Sequence, residues 1–187
     1  MKRYILIAGV NGAGKSTLYQ TNPALQEMPR VNTDEILREF GDWKNVKDVF
    51  KAGTIAVQKI NQYFSEQVTF NQETTLCGNS VLKYIQKAKE QGYVIEIHYV
   101  GVESVDIAKE RVKHRVLTGG HGIEERDIER RYYESFKQIN KIIDKCDLIA
   151  FYDNTQAFRR FAIFQHGKVR VVSRNIPKWF EKYISQN

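Results

Sequence analysis

Short apolar blocks recur along the chain, separated by longer stretches in which apolar residues return every three or four positions. Tyr4 to Ala8 is an uninterrupted apolar run, the mark of a strand buried on both faces, and Ser16-Thr17-Leu18-Tyr19 opens a helix soon after it. Asn22-Pro23 breaks that helix, and Arg30-Val31-Asn32 reads as a brief second strand. A helix starts directly beyond it, with Asn32 or Thr33 as N-cap and Asp34 and Glu35 in its first turn. From about Val46 to Phe64 the spacing predicts a long amphipathic helix burying Val49, Phe50, Ile55, Ala56, Ile60, Tyr63 and Phe64, with Trp43 packed at its start.

The same two periods carry the second half. Val68 to Glu73 predicts a strand, Leu76 to Gly92 a helix closed by its glycine, and Tyr93 to Val100 a strand on which Glu96 and His98 share a face as a satisfied polar pair. Ser104 caps a helix that runs to Thr118 and buries Val105, Ala108, Val112 and Val116, and another helix buries Ile128, Tyr132, Phe136, Ile139 and Ile143. Asp147 to Tyr152 is an apolar strand ending in Asp153-Asn154, the last parallel strand of the sheet. Phe161–Phe164 and Val169–Val172 form a hairpin around Gln165-His166-Gly167-Lys168, and a helix from about Pro177 packs through Trp179, Phe180 and Ile184. Strands alternating with helices make an α/β chain.

Between the first strand and the first helix lies Gly9-Val10-Asn11-Gly12-Ala13-Gly14-Lys15-Ser16, a Gly, four free positions and Gly-Lys-Ser. Strand, loop and helix in that order make it a P-loop. Its glycines let successive backbone N–H groups curl around a polyphosphate at the start of a helix. Lys15 would reach the β- and γ-phosphates of ATP and Ser16 would hold Mg²⁺, so Gly9, Asn11, Gly12, Ala13, Gly14, Lys15, Ser16 and Thr17 are the expected nucleotide-binding residues.

Composition narrows the class. The 187 residues suit one well-cored domain, residues 1–187, and with 42% hydrophobic and 27% charged residues they read as an ordinary globular chain. No apolar run is long enough to span a bilayer, and Met1-Lys2-Arg3 leads straight into the first strand instead of a secretory leader. Cys77 and Cys146 stand apart, without metal-ligand spacing, which fits a reducing cytoplasm. The net charge of +7 attracts anions, and ATP with a phosphorylated substrate accounts for it. The chain has no repeated aromatic and basic pattern of the kind that binds nucleic acid.

Several side chains are candidates for chemistry around this loop. Asp34 is either a first-turn carboxylate favoured by the helix dipole or, at the carboxyl end of a strand, a base for a substrate hydroxyl attacking the γ-phosphate. Glu73 ends its strand where many P-loop proteins keep an acidic residue near Mg²⁺. Arg111 and Arg115 lie four apart on one helix face. Thr118-Gly119-Gly120-His121-Gly122 follows, and then Arg126, Arg130 and Arg131 at the start of the next helix. Arginines on both sides of a Gly-rich hinge read as a lid, about residues 111–131, that closes cations over a transferring phosphoryl group.

Together Gly9–Ser16, Val31-Asn32-Thr33-Asp34, Gln72-Glu73-Thr74-Thr75-Leu76, Arg111 to Val116, Gly119-Gly120-His121-Gly122-Ile123, Arg130-Arg131-Tyr132 and Tyr152-Asp153-Asn154-Thr155 resemble the zeta-toxin family of P-loop kinases, most closely its short chromosomal members. The resemblance implies a five-stranded parallel sheet ordered 2-3-1-4-5 and ATP-dependent transfer to a sugar hydroxyl, as in phosphorylation of UDP-N-acetylglucosamine, restrained by a small antitoxin. It implies Asp34 as catalytic base and Lys15 and Ser16 as phosphate and Mg²⁺ ligands. Asn32, Glu73, Thr75 and His121 fall on the substrate side, and Arg111 or Arg115 with Arg130 or Arg131 would stabilise the γ-phosphate in transit. Two other readings are a kinase acting on a nucleic-acid end and a nucleotide-dependent switch; the switch class lacks a water-positioning residue and a Walker B next to the P-loop strand here.

Overall fold

The structure, a computed structural model, describes residues 1–184. Its centre is β1 (Arg3–Ala8), hydrogen-bonded on one side to β3 (Phe70–Thr74) and on the other to β4 (Val94–Gly101), both parallel to it. Beyond β3 lies β2 (Arg30–Val31), and beyond β4 lies β5 (Leu148–Asp153). These five strands run parallel in the order 2-3-1-4-5. The hairpin β6 (Arg159–Gln165) and β7 (Lys168–Val172) does not stand apart: β6 pairs antiparallel with β5 and β7 with β6, so the sheet has seven strands, not five.

Register decides what meets at the carboxyl ends. Ile7 is opposite Glu73 and Val31 opposite Gln72, so the P-loop, Glu73 and Asn32 leave the sheet side by side. Gly101 is opposite Asp153 on the other flank. A ligand at this edge therefore meets loops from five consecutive strands.

The helices are α1 (Lys15–Thr21), α2 (Pro23–Gln26), α3 (Thr33–Arg38), α4 (Val46–Glu66), α5 (Ser80–Glu90), α6 (Val105–Leu117), α7 (Glu125–Ile142) and α8 (Lys178–Tyr183). The single turn α2 falls where the sequence suggested only a polar segment; Pro23 at its start fits the free N–H position of a first turn, and Leu25 anchors it in the core. Leu76–Asn79 is a loop instead of the first turn of α5, because Leu76 and Gly78 take positive φ values of 60° and 77°. Asn32 and Ser104 cap α3 and α6 as expected.

Two helix faces differ from expectation. Helix α4 buries Ala52, Ala56, Ile60 and Phe64, a stripe stepping by four, whereas Val49 and Phe50 are exposed. Phe50 lies two residues before Ala52, about 160° around a helix of 3.6 residues per turn, so packing through the small alanines turns it outward. Val116, at the end of α6 beside the Gly-rich loop, is likewise exposed.

The core continues to both sides of the sheet. Tyr4, Phe64, Phe70 and Tyr93 form one aromatic cluster, and Phe151, Phe161, Phe164, Trp179 and Phe180 another that fixes α8 against β5 and β6. Trp179 donates its indole N–H to the buried carboxylate of Asp153 at 3.0 Å, and Thr155 adds a 2.6 Å bond. Asp153 is thereby consumed in holding the C-terminal helix. Buried His98 bridges Glu96 at 2.8 Å and the Tyr152 hydroxyl at 3.0 Å, the satisfied polar pair the alternation suggested.

Candidate functional site

The P-loop curls because Gly12 and Gly14 adopt φ values of 82° and 105°, open to glycine and strained for other residues. A Cβ on Gly12 would lie 2.5 Å from the Ala108 carbonyl oxygen of α6, and one on Gly14 would collide with the Asn154 amide. That amide donates to the Ala13 carbonyl at 2.8 Å, tying the loop after β5 to the P-loop. Lys15, the first residue of α1, is buried with its Nζ 3.1 Å from the Val10 carbonyl oxygen and 3.9 Å from Glu73. Burial pushes its pKa down, opposed by the charges of Glu73 and Asp34.

Beside the loop opens a cleft of about 340 Å³, lined by Gly14, Lys15, Ser16, Glu73, Arg111, Arg115 and Asn154 among others. Arg111 gives one Nη2 bond, at 3.2 Å, to the Thr155 carbonyl, but its Nη1 is buried without a partner. Arg115 has both Nε and Nη2 in that condition. Buried donors left unpaired are costly, so three such nitrogens around one lysine form a site waiting for a polyanion. The residues present therefore fit a nucleotide polyphosphate.

Across Lys15 the character reverses. Glu73 receives Arg30 Nη2 at 2.7 Å and Asn32 Nδ2 at 3.1 Å, with the Ser16 hydroxyl 3.4 Å away. The Asn32 side chain also accepts the backbone N–H groups of Asp34 and Glu35, so one amide both caps α3 and fixes Asp34 relative to Glu73. The Asp34 carboxylate lies 3.5 Å from His121 Nε2, brought there by the Gly-rich loop between α6 and α7. That loop rests on Trp43, whose indole is close to Gly122 and 5.8 Å from the His121 ring. Burial lowers the His121 pKa; Asp34 opposes this and Arg115, Arg38 and Arg131 reinforce it.

The two neighbouring arginines of α7 part ways. Arg131 Nη1 reaches back to the Asn11 side chain at 3.1 Å, while Arg130 points to the surface and pairs with Asp127 and Glu134. Arg130 thus lies away from the P-loop, because consecutive helical residues point about 100° apart and α7 presents Arg131. Arg126 is exposed and pairs with Glu124. Thr75 sits just past the end of β3, with its carbonyl accepting from Cys77, and does not line the cleft. Thr17 and Gly12 do line it.

Arg30 was not singled out in the sequence. It is buried, stacked at 3.6 Å on the Tyr19 ring, and bonded to Glu35 as well as Glu73. Only its place on β2, the strand next to β3, could have drawn attention to it.

Comparison with known proteins now settles the family. The zeta toxin family model matches residues 1–175. The chain belongs to the zeta toxin family. A Haemophilus influenzae protein of uncharacterized function is 32% identical over 128 residues, which is 68% of this chain and 91% of that protein. Among solved structures, the AvrRxo1-ORF1:AvrRxo1-ORF2 complex with sulphate ions superposes with a TM-score of 0.78 at 14% identity, over 99% of this chain and 64% of that one. The same complex has been solved with ATP, at a TM-score of 0.73 and 13% identity. This chain therefore spans about 64% of the length of those proteins. The PezAT chromosomal toxin–antitoxin system of Streptococcus pneumoniae matches at 0.61 and 17% identity, over 84% of this chain and 70% of that one. The Pnkp1/Rnl/Hen1 RNA repair complex matches at 0.60 and 17%, over 75% and 46%. Family, P-loop and sheet order together make this zeta toxin relative an ATP-dependent kinase in class, and among the described residues no helix is long and apolar enough to cross a membrane.

Proposed function

We propose that this kinase transfers the γ-phosphate of ATP to a hydroxyl of a small sugar or nucleotide sugar of the UDP-N-acetylglucosamine kind, and that it acts in the cytoplasm as the toxin of a toxin–antitoxin pair with a small antitoxin partner. The observation that carries the reading is the division of charge across Lys15. On one side, Arg111 and Arg115 turn unpaired buried nitrogens toward the P-loop cleft. On the other, Glu35 and Glu73 both pair with Arg30, and Asp34 faces His121. A polyanion belongs to the first side. The part of the acceptor that enters beside Asp34 is a neutral hydroxyl-bearing ring, because a phosphodiester there would meet the carboxylates of Asp34, Glu35 and Glu73.

In this mechanism the backbone N–H groups of Gly12 to Ser16 and the Lys15 ammonium hold the phosphates. Asp34 accepts the acceptor's hydroxyl proton as its oxygen attacks the γ-phosphorus and the bond to ADP breaks, with His121 and Asn32 fixing the carboxylate. Arg111, Arg115 and Arg131, on the lid of residues 111–131, stabilise the equatorial oxygens. Ser16 and Glu73 supply hard oxygen ligands suited to Mg²⁺, which would neutralise phosphate charge when bound. Most of the acceleration comes from positioning and charge.

The test is transfer of labelled γ-phosphate by wild type and Asp34→Asn to UDP-sugars, free sugars and oligonucleotides. Asp34-dependent label in a UDP-N-acetylhexosamine is the expected result. Label only in oligonucleotide 5′ ends would replace this reading with the nucleic-acid-end kinase.

A further inference from the structure

Glu73 stands between two cations. Its carboxylate is buried, 2.7 Å from Arg30 Nη2 on one side and 3.9 Å from Lys15 Nζ on the other, with the Ser16 hydroxyl also in reach at 3.4 Å. Left to itself, a buried carboxylate closes on the nearest cation, since an unpaired buried charge is far costlier than an ion pair. Closing on Lys15 would occupy the ammonium and hydroxyl that the P-loop offers to a nucleotide.

Arg30 is built so that it cannot follow Glu73 in that direction. Its guanidinium face lies 3.6 Å from the Tyr19 ring centroid, and its Nε is bonded to Glu35 at 3.1 Å. Pro29 precedes it and the strand β2 fixes its backbone, while Asn32, two residues on, holds the same Glu73 oxygen from the next position. A planar fork fixed on one face and at two nitrogens presents a charge at one place, which an ammonium on a flexible stem does not.

We propose that Arg30 is a positioning residue of the nucleotide site: it draws the Glu73 carboxylate to itself, leaving only a long 3.9 Å pair with Lys15, and so keeps the P-loop lysine available for phosphate. The inference rests on the nucleotide-binding reading above and adds to it a residue outside the P-loop motif. It also gives Tyr19 a role, as the platform on α1 that carries Arg30.

The experiment is titration of the full chain with a non-hydrolysable ATP analogue in the absence of divalent cation, so that the readout depends on Lys15 and needs no acceptor. Arg30→Met keeps side-chain length and contact with Tyr19 while removing the charge. It is expected to weaken binding about tenfold or more, a loss typical of one charged contact at a phosphate. Arg30→Lys, retaining a cation, should recover part of the loss. Adding Glu73→Gln to Arg30→Met should restore wild-type affinity, because the amide no longer competes for Lys15. Thermal unfolding of each variant confirms that the folded protein is what is titrated. Wild-type affinity in Arg30→Met overturns the proposal, and so does an affinity loss that Glu73→Gln leaves untouched, which would mark Arg30 as a packing residue. Failure of wild type itself to bind the analogue would overturn the nucleotide reading along with it.

Discussion

Arg115→Met should make the protein more stable and nearly inactive at once. Arg115 has two buried nitrogens, Nε and Nη2, with no hydrogen-bond partner, and its stem packs against Gly120, whose added Cβ would lie 2.5 Å from Arg115 Cγ. Each buried donor left unsatisfied costs about 1–3 kcal/mol. Methionine keeps the stem and removes both donors, and after allowance for the partial exposure of the residue a gain of about 1–2 kcal/mol is expected, or roughly 2–8 °C in Tm for a chain of this size. The same nitrogens form two charge-assisted bonds to phosphate in the proposed mechanism, at about 1.5–3 kcal/mol each. Their loss corresponds to roughly 10²–10⁴-fold in kcat/KM. Calorimetric unfolding without nucleotide, paired with γ-phosphate transfer, reads both quantities. A lowered Tm with activity within tenfold of wild type would refute the reasoning, because it would mean that Arg115 holds the fold and does not await a ligand.

Three further outcomes follow from the same geometry. Asp34→Asn should reduce transfer by about 10²–10⁴-fold, the usual share of a general base, while leaving ATP affinity near wild type; an active variant would remove Asp34 from that role. Burial holds the folded His121 pKa below the unfolded value near 6.5, so the unfolded chain takes up that proton first. The stability from neutral His121 is whole above the unfolded pKa and is lost as pH falls through the folded one. Urea unfolding between pH 7.5 and pH 5 should therefore show a smaller decline in His121→Gln than in wild type, and equal declines would contradict the buried environment. Trp179→Phe removes the indole N–H from Asp153 and should cost about 1–3 kcal/mol, measured by denaturant midpoint; an unchanged midpoint would show that Thr155 and Arg159 satisfy the carboxylate without it.

What the amino-acid sequence determined by itself was most of what is set within one element or one turn. The P-loop is a contiguous string whose glycines, lysine and serine act through neighbouring backbone, and the buried strands β1 and β5 are carried by contiguous apolar runs, Tyr4–Ala8 and Leu148–Tyr152. Caps such as Asn32 and Ser104 bind N–H groups two or three residues away, so they too were legible. Tertiary structure decided the questions whose answers lie far along the chain. Arg130 and Arg131 are equivalent in composition, and only the rotation of α7 against the P-loop gives Asn11 to Arg131 and the surface to Arg130. Val49 and Phe50 fit a buried face by periodicity, yet α4 approaches its neighbours through Ala52 and Ala56 and leaves them outside. The Asp153 carboxylate ends an apolar strand in the manner of a metal ligand, and a tryptophan 26 residues later claims it. Arg30 had no local signature because its meaning depends on Glu73, 43 positions away, and on the Tyr19 ring. Periodicity says which residues can be buried; the direction of each helix and the register of each strand say which charges meet, and a site made of converging charges exists only after that choice.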